Sequence, residues 1–470
     1  MPFHSPLCRR LSIVFLTLFL TAQLLIPYSS QAFLFGGVSI KDEKEMGHKF
    51  DLMLRSSMGI VDDPEVRQYV DHVLRRLVKA TSPQPFEFKA SVVLHNSLNA
   101  FAVPGGFVYI FTGLIMHLNK EEELAGVLAH ELAHVTQRHV ASRLERAQFL
   151  TLGSLLLAIA GVAAGGPGGS TIAAGAIGAG QSAMLNYSRM DETEADQIGL
   201  QYLVAAGYPP VGMIDGFKVL RQKSRINGGN VPTYLSTHPA IGDRINGLAA
   251  RIQGMDKSVL QRTQDNTRFV RVQTLLWARY GDSQAALQRF AHKGALSSMG
   301  RGIVLARLNR VNEANKAFDE ALAIAPSDPL VLREAGIFHY RKGDMNRSEA
   351  LLDAALRHDT HDYMAAFFYA RLLDDSGRHT RAFDHYKEVL RHVPEDSEVH
   401  EAFARALGKA GDTLNAYIHM TYSSLYANDK KQTERYFSKA KALAGHAADR
   451  RTFQRLENAY KDRKEIWEKH

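Results

Sequence analysis

The sequence predicts a mainly α protein in two parts: an α+β domain built around a small β-sheet, then an all-α solenoid of helix pairs. Three observations predict it. Apolar residues recur at helical spacing over most of the 470-residue chain, one stretch between Phe86 and Phe111 changes to the alternation of strands, and the C-terminal part repeats with a period of 34 residues. The length calls for at least two domains, and a composition of 45% hydrophobic and 23% charged residues is that of a globular chain.

Residues 1–32 read as a secretory signal: Arg9 and Arg10 begin it, Leu11 to Ile26 form its apolar core, and Ser30-Gln31-Ala32 gives a small-residue cleavage site. The mature chain is then expected to begin near Phe33 and to be exported. The only cysteine, Cys8, lies ahead of that apolar core and leaves with it, so no disulfide is expected. Lys and Arg number 57 against 49 Asp and Glu, a net charge of +8, but they are scattered as solvated faces. With no dense basic run, nucleic acid is excluded as a partner.

Ser39 to Asp42 is a capping-box-like start to a helix through roughly Leu54, and Val66, Val70, Val73, Leu74 and Leu77 give helical spacing between Asp63 and Ala80. Phe86 to Leu94 alternates like a strand. Phe101 to Phe111 reads as a second strand segment interrupted by the turn signal Pro104-Gly105-Gly106. Asn119 is placed to cap one long helix from Lys120 to about Leu150, with Glu121 to Glu123 complementing its N-terminus.

Phe149 to Gly180 carries no charge and is broken by Gly165-Gly166-Pro167-Gly168-Gly169. It reads as a buried helical hairpin, or as a lid or element making peripheral membrane contact through 149–180; its glycine-broken halves make poor spans. A further helix runs from Asp191 to about Ala206, ended by Gly207 and Pro209-Pro210.

Beyond about Gly254, Asp328, Asp362 and Asp396 are 34 residues apart, and so are Gly343, Gly377 and Gly411. Phe318, Leu352 and Tyr386 keep the same register, as do Ala314, Ser348, Ala382 and Ala416, the bulky and small positions that interlock paired helices. That period belongs to tetratricopeptide repeats. Earlier repeats look weak, since the equivalent of Gly343 is Asn309 and Gly281 is out of phase. The expected division is 33–256 for the first domain and 257–470 for the repeats.

His130-Glu131-Leu132-Ala133-His134 puts two imidazoles one helical turn apart, where both can bind a single metal ion, with Glu131 beside them. Glu192 and Asp196, four residues apart on the next charged helix, offer a third ligand and a carboxylate able to fix a ligating imidazole through its other N–H. Two His and one Glu leave the fourth position of tetrahedral zinc open to water, as in catalytic sites, and Glu131 is placed to take and return the proton in hydrolysis.

Asn99 to Gly106, the zinc motif, Ser188-Arg189-Met190-Asp191-Glu192-Thr193-Glu194-Ala195-Asp196 and Ser236-Thr237-His238-Pro239, in this order and spacing, resemble the CAAX-prenyl-endopeptidase-like metallopeptidases. The similarity covers about Ser39 to Ile252. It implies a zincin-type domain with one Zn2+ per chain at His130, His134 and Glu192, catalysis by Glu131, and a functional role for His238 with Arg244. A His before Pro239 is biased to extended backbone, and Pro239 can open the helix that carries Arg244. His238 with Arg244 is suited to stabilise a tetrahedral oxyanion; by resemblance His238 also serves as a zinc ligand that keeps the enzyme latent, and the sequence does not choose between the two.

The resemblance further implies substrate pairing as an added strand along Asn99, Ala100, Phe101, Ala102 and Val103. Exported members with such repeats imply the periplasm of a Gram-negative bacterium. Misfolded or stalled outer-membrane proteins are then the expected substrates, with a chaperone-like assembly role and docking to the outer-membrane barrel-insertion machinery through the repeats. The rival expectation is a repeat-based scaffold or chaperone with a latent or structural zinc site; Glu131 argues against it, because a structural site has no use for a carboxylate there.

Overall fold

A computed structural model describes residues 37–146, 187–226, 233–445 and 447–469. The signal at 1–32 and the uncharged stretch 149–180 lie outside the described residues. Helices α1 (Ile40–Ser57) and α2 (Pro64–Val78) open the chain. Ser39 and Asp42 form the capping box of α1, and Asp63 caps α2 through the N–H groups of Glu65 and Val66.

Strands β1 (Lys89–Val93), β2 (Ala100–Val103) and β3 (Phe107–Phe111) form a sheet of order β1-β3-β2. β1 runs parallel to β3, and β2 pairs antiparallel with it in the register Ala100↔Ile110 to Val103↔Phe107. The Pro-Gly-Gly interruption is the hairpin turn: Gly105 and Gly106 adopt φ of 86° and 92°, which side chains rarely tolerate. The strand expected over Phe86 to Leu94 is shorter, because only Lys89 to Val93 pairs with β3.

After α3 (Thr112–His117) the single long helix expected to Leu150 is two helices, α4 (Glu121–Thr136) and α5 (His139–Arg146). Arg138 breaks them at φ 53°, with its guanidinium held by Glu43 at 2.6 Å. Asn119 does not cap α4. Lys120 occupies the cap position without a side-chain bond, the Asn119 N–H donates to Glu123, and Asn266, far along the chain, accepts from the N–H of Glu121.

Helices α6 (Arg189–Ala205), α7 (Val211–Ile226), α8 (Thr233–Thr237) and α9 (Ile241–Gln253) complete the first part. α6 starts with a capping box of Ser188 and Asp191. One expectation around Pro239 is corrected. His238 follows α8, its N–H donating to Tyr234 O at 2.8 Å, and Ala240 at φ 60° caps α9, so Pro239 stands outside that helix rather than opening it.

The short α10 (Lys257–Leu260) leads to α11 (Thr267–Tyr280) and α12 (Ser283–Arg289). Helix pairs α13 (Ala295–Arg307) with α14 (Val311–Ile324), α15 (Pro329–Arg341) with α16 (Met345–His358), α17 (Tyr363–Asp375) with α18 (His379–His392), and α19 (Ser397–Lys409) with α20 (Thr413–Tyr426) follow, then α21 (Lys430–Leu443) and α22 (Ala447–Lys469). Asp328, Asp362 and Asp396 are helix caps, and Gly343, Gly377 and Gly411 make the left-handed turns between paired helices. Asn309 makes the same turn at φ 58°, so the repeat that looked weak is in phase. Asparagine tolerates this conformation better than most side chains.

The repeats pack on the first part. The Gln273 amide donates to Ile115 O and Leu118 O, and Trp277 Nε1 to Met116 O at 2.9 Å. One continuous apolar core runs from Val61 to Phe338, taking in α4, which is buried along nearly its whole length.

Candidate metal centre

α4 is the central strut of the first part, and it is flanked through glycines. A Cβ on Gly126 would lie 2.4 Å from Met213 Cα of α7, and one on Gly199 of α6 would lie 2.9 Å from Ala129 O of α4. These close approaches bring Glu192, two turns before Gly199, over His130 and His134. The end of α8 places His238 on the other side.

The side chains of His130, His134, Glu192 and His238 are buried, with ligand-type atoms all within 4.8 Å of one another. His130 Nε2 lies 3.0 Å from His134 Nε2, 3.3 Å from His238 Nδ1 and 3.5 Å from Glu192 Oε2. Glu192 Oε1 lies 3.4 Å from His134 Nε2 and 2.9 Å from His238 Nδ1. A zinc tetrahedron with bonds of about 2.0–2.1 Å has edges of about 3.3 Å. The spacing and the chemistry of the donors therefore fit one such ion.

The electrostatics favour a cation as well. Burial and the Arg244 charge push His130 down, but Asp196 and Glu192 outweigh them and hold it up at about 9. Burial pushes the Glu192 carboxyl up, yet His238, His130 and His134 together hold it well below the ordinary carboxylate range. Burial drives His134 well below the usual imidazole value, which leaves its lone pair free for a ligand.

Glu131 is fully buried, and burial pushes its carboxyl up from the ordinary range. Neither of its oxygens has a hydrogen-bond partner among the described residues; His238 Nε2 lies 3.6 Å from Oε1. Such an isolated carboxylate is costly as structure and useful as a proton acceptor.

Asp196 Oδ1 lies 2.9 Å from His130 Nδ1. Arg244 is tied by Nε and Nη2 to both Asp196 oxygens, at 2.8 and 2.7 Å, with Nη1 2.5 Å from Glu192 Oε2 and its guanidinium over the Phe217 ring. It stands behind the carboxylates and sets their position. A small void of about 10 Å³ beside α4 is lined by Ala102, Val103 and Pro104 at the end of β2 together with His134 and Ala141. β2 is an edge strand, paired only with β3 among the described residues, and Phe101 packs against Phe50, Tyr109 and Phe111.

Four groups around the site escaped sequence reasoning. Tyr187 stacks on His134 at 3.7 Å, Tyr234 on His238 at 4.4 Å, and His139 Nδ1 meets His134 Nδ1 at 2.9 Å, with Glu194 beyond it. Only His139 left a signal, as a third His close after the motif.

Residues 62–252 match the family model described as Peptidase family M48, and residues 278–329 and 334–397 match Tetratricopeptide repeat. A Vibrio cholerae protein named as a β-barrel assembly-enhancing protease is 35% identical over 263 residues, 54% of this chain and 53% of that protein. The Escherichia coli protein of that name is 31% identical over 306 residues, 62% of this chain and 61% of that protein. Mitochondrial metalloendopeptidase OMA1 of Arabidopsis thaliana is 26% identical over 244 residues, 50% of this chain and 47% of that protein. The chain thus spans about half to three-fifths of the length of these relatives. A solved structure of MamA from AMB-1 covers 34% of this chain and 97% of its own, at 20% identity and a TM-score of 0.30.

Proposed function

Since the chain carries a peptidase family M48 domain with tetratricopeptide repeats behind it, we propose that it is a zinc-dependent endopeptidase in which His130, His134 and Glu192 hold the metal and Glu131 moves the proton. The observation that carries this reading is the convergence of four donors at tetrahedral spacing beside a buried, unbonded carboxylate. Zinc held there supplies Lewis acidity, which brings the ionisation of water towards neutral pH and polarises a scissile carbonyl. Glu131 accepts the proton of the attacking water and returns it to the leaving amine.

Asp196 orients His130, and Arg244 positions Asp196 and Glu192 rather than touching substrate. His238 sits at the fourth corner of the donor set, an arrangement that supports a latent state relieved when its ring withdraws. The β2 edge beside His134 suits an extended chain paired through its backbone, which favours unfolded polypeptides over one defined cleavage sequence.

The domain division at 256/257, a periplasmic setting, misassembled outer-membrane proteins as substrates and docking of the repeats to the barrel-insertion machinery belong to the same proposal. The division is supported by the family matches ending at 252 and resuming at 278, and the rest by the signal-like residues 1–32 and by the names of the relatives. No helix of the described residues is long and apolar enough to cross a membrane.

The test is cleavage of casein by the purified chain. Cleavage is expected to stop with a zinc chelator, to return with added Zn2+, and to rise several-fold in His238→Ala. A chain that holds zinc yet cleaves nothing, in either form, would overturn the peptidase reading and leave the scaffold.

A further inference from the structure

The two imidazoles of the motif are supported differently. His130 Nδ1 meets a carboxylate directly, Asp196 Oδ1 at 2.9 Å. His134 Nδ1 instead meets a second imidazole, His139 Nδ1, at 2.9 Å, and His139 Nε2 lies 3.3 Å from Glu194 Oε2. Resting on the reading that His134 Nε2 is a metal ligand, we infer that His139, held by Glu194, is the positioning residue that fixes the tautomer and ring plane of His134.

The hydrogen positions follow from one another. A ligating Nε2 must present its lone pair, so the proton of neutral His134 is on Nδ1 and is donated to His139. His139 Nδ1 therefore accepts, and its own proton is on Nε2, where among the described residues the Glu194 carboxylate receives it. The chain Glu194, His139, His134 has one consistent assignment, and it ends with a lone pair facing the other three donors.

The backbone is built for this contact. On one continuous helix, a residue five positions after His134 would point about 140° round the axis from it. The break at Arg138, φ 53°, turns the chain so that His139 starts α5 and folds back over His134. Arg138 is anchored in that turn by Glu43 and by Val38 O. His139 is 5% exposed, so this contact is shielded from competing water, whereas the Glu194 side chain is 54% exposed. The inner link should accordingly matter more than the outer one.

Competition with a chromophoric zinc chelator on the purified full chain tests this, using His139→Phe, His139→Asn and Glu194→Ala. Removing an orienting partner typically weakens metal binding by about 10–100-fold. His139→Phe fills the space without an acceptor and should weaken zinc by that factor. His139→Asn offers a carbonyl oxygen where Nδ1 stood and should recover most of it, and Glu194→Ala should lose less than His139→Phe. The visible spectrum of the Co2+-loaded protein should change in His139→Phe and return towards wild type in His139→Asn. Phe and Asn variants that bind zinc equally tightly would overturn the inference. If wild type itself binds no zinc, the failure lies in the metal site and not in His139.

Discussion

At the scale of single residues, Glu131 differs from every other charged group of the site. Glu192, Asp196 and Arg244 have partners at 2.5–2.9 Å, while both Glu131 oxygens have none among the described residues. Glu131→Gln keeps size and shape and touches no donor of the set, so it should spare folding and metal while removing the base. The spacing of His130, Glu131 and His134 made these three legible in the sequence, and Glu192 and Asp196 followed from sharing a helical face. Tyr187 and Tyr234 were not legible, because a stacking ring has no fixed distance along the chain. The turn at Arg138 was missed because only tertiary contacts, to Glu43 and Val38, hold a non-glycine residue there.

At the scale of elements, the site depends on how closely α6 and α7 approach α4. Gly199 marks the closest approach of α6, with a Cβ 2.9 Å from Ala129 O and 3.0 Å from His130 N. Gly199→Ala must push the helices apart, at a cost of about 1–3 kcal/mol for overpacking. The same shift carries Glu192 away from the imidazoles, so thermal midpoint and zinc affinity should fall together; a variant that loses stability but binds zinc as tightly as wild type would contradict this coupling. Helix starts were readable where a capping box lies in local sequence, at Ser39 and Ser188. The start of α4 was not, since its N-terminal N–H is satisfied by Asn266, 145 residues away.

At the scale of the molecule, the repeats are joined to the first part by buried ion pairs. Arg333 is 1% exposed and reaches Asp63, Glu334 and Asp362, while Arg279 bridges Asp63 and Glu334. Removing Arg333 leaves the buried Asp362 without its ion-pair partner, while Arg279 still holds Asp63 and Glu334, so Arg333→Met should cost about 3 kcal/mol in urea unfolding. Burial raises Glu334, but Arg279 and Arg333 outweigh it and take its carboxyl from 4.5 to about 2. Its stabilising contribution is thus complete above pH 4.5 and is lost as pH falls towards 2, a slope that Glu334→Gln should flatten. The 34-residue period disclosed the solenoid from sequence; its docking on α2 and α3 did not show, because the contacts of Gln273, Trp277 and Arg279 join positions more than 150 residues apart.

The most direct measurement is casein cleavage by Glu131→Gln beside wild type, with zinc quantified in both. We expect one zinc per chain in each and cleavage in wild type alone. Cleavage by a zinc-loaded Glu131→Gln variant at the wild-type rate would contradict the assignment of Glu131, and with it the proposed hydrolytic site.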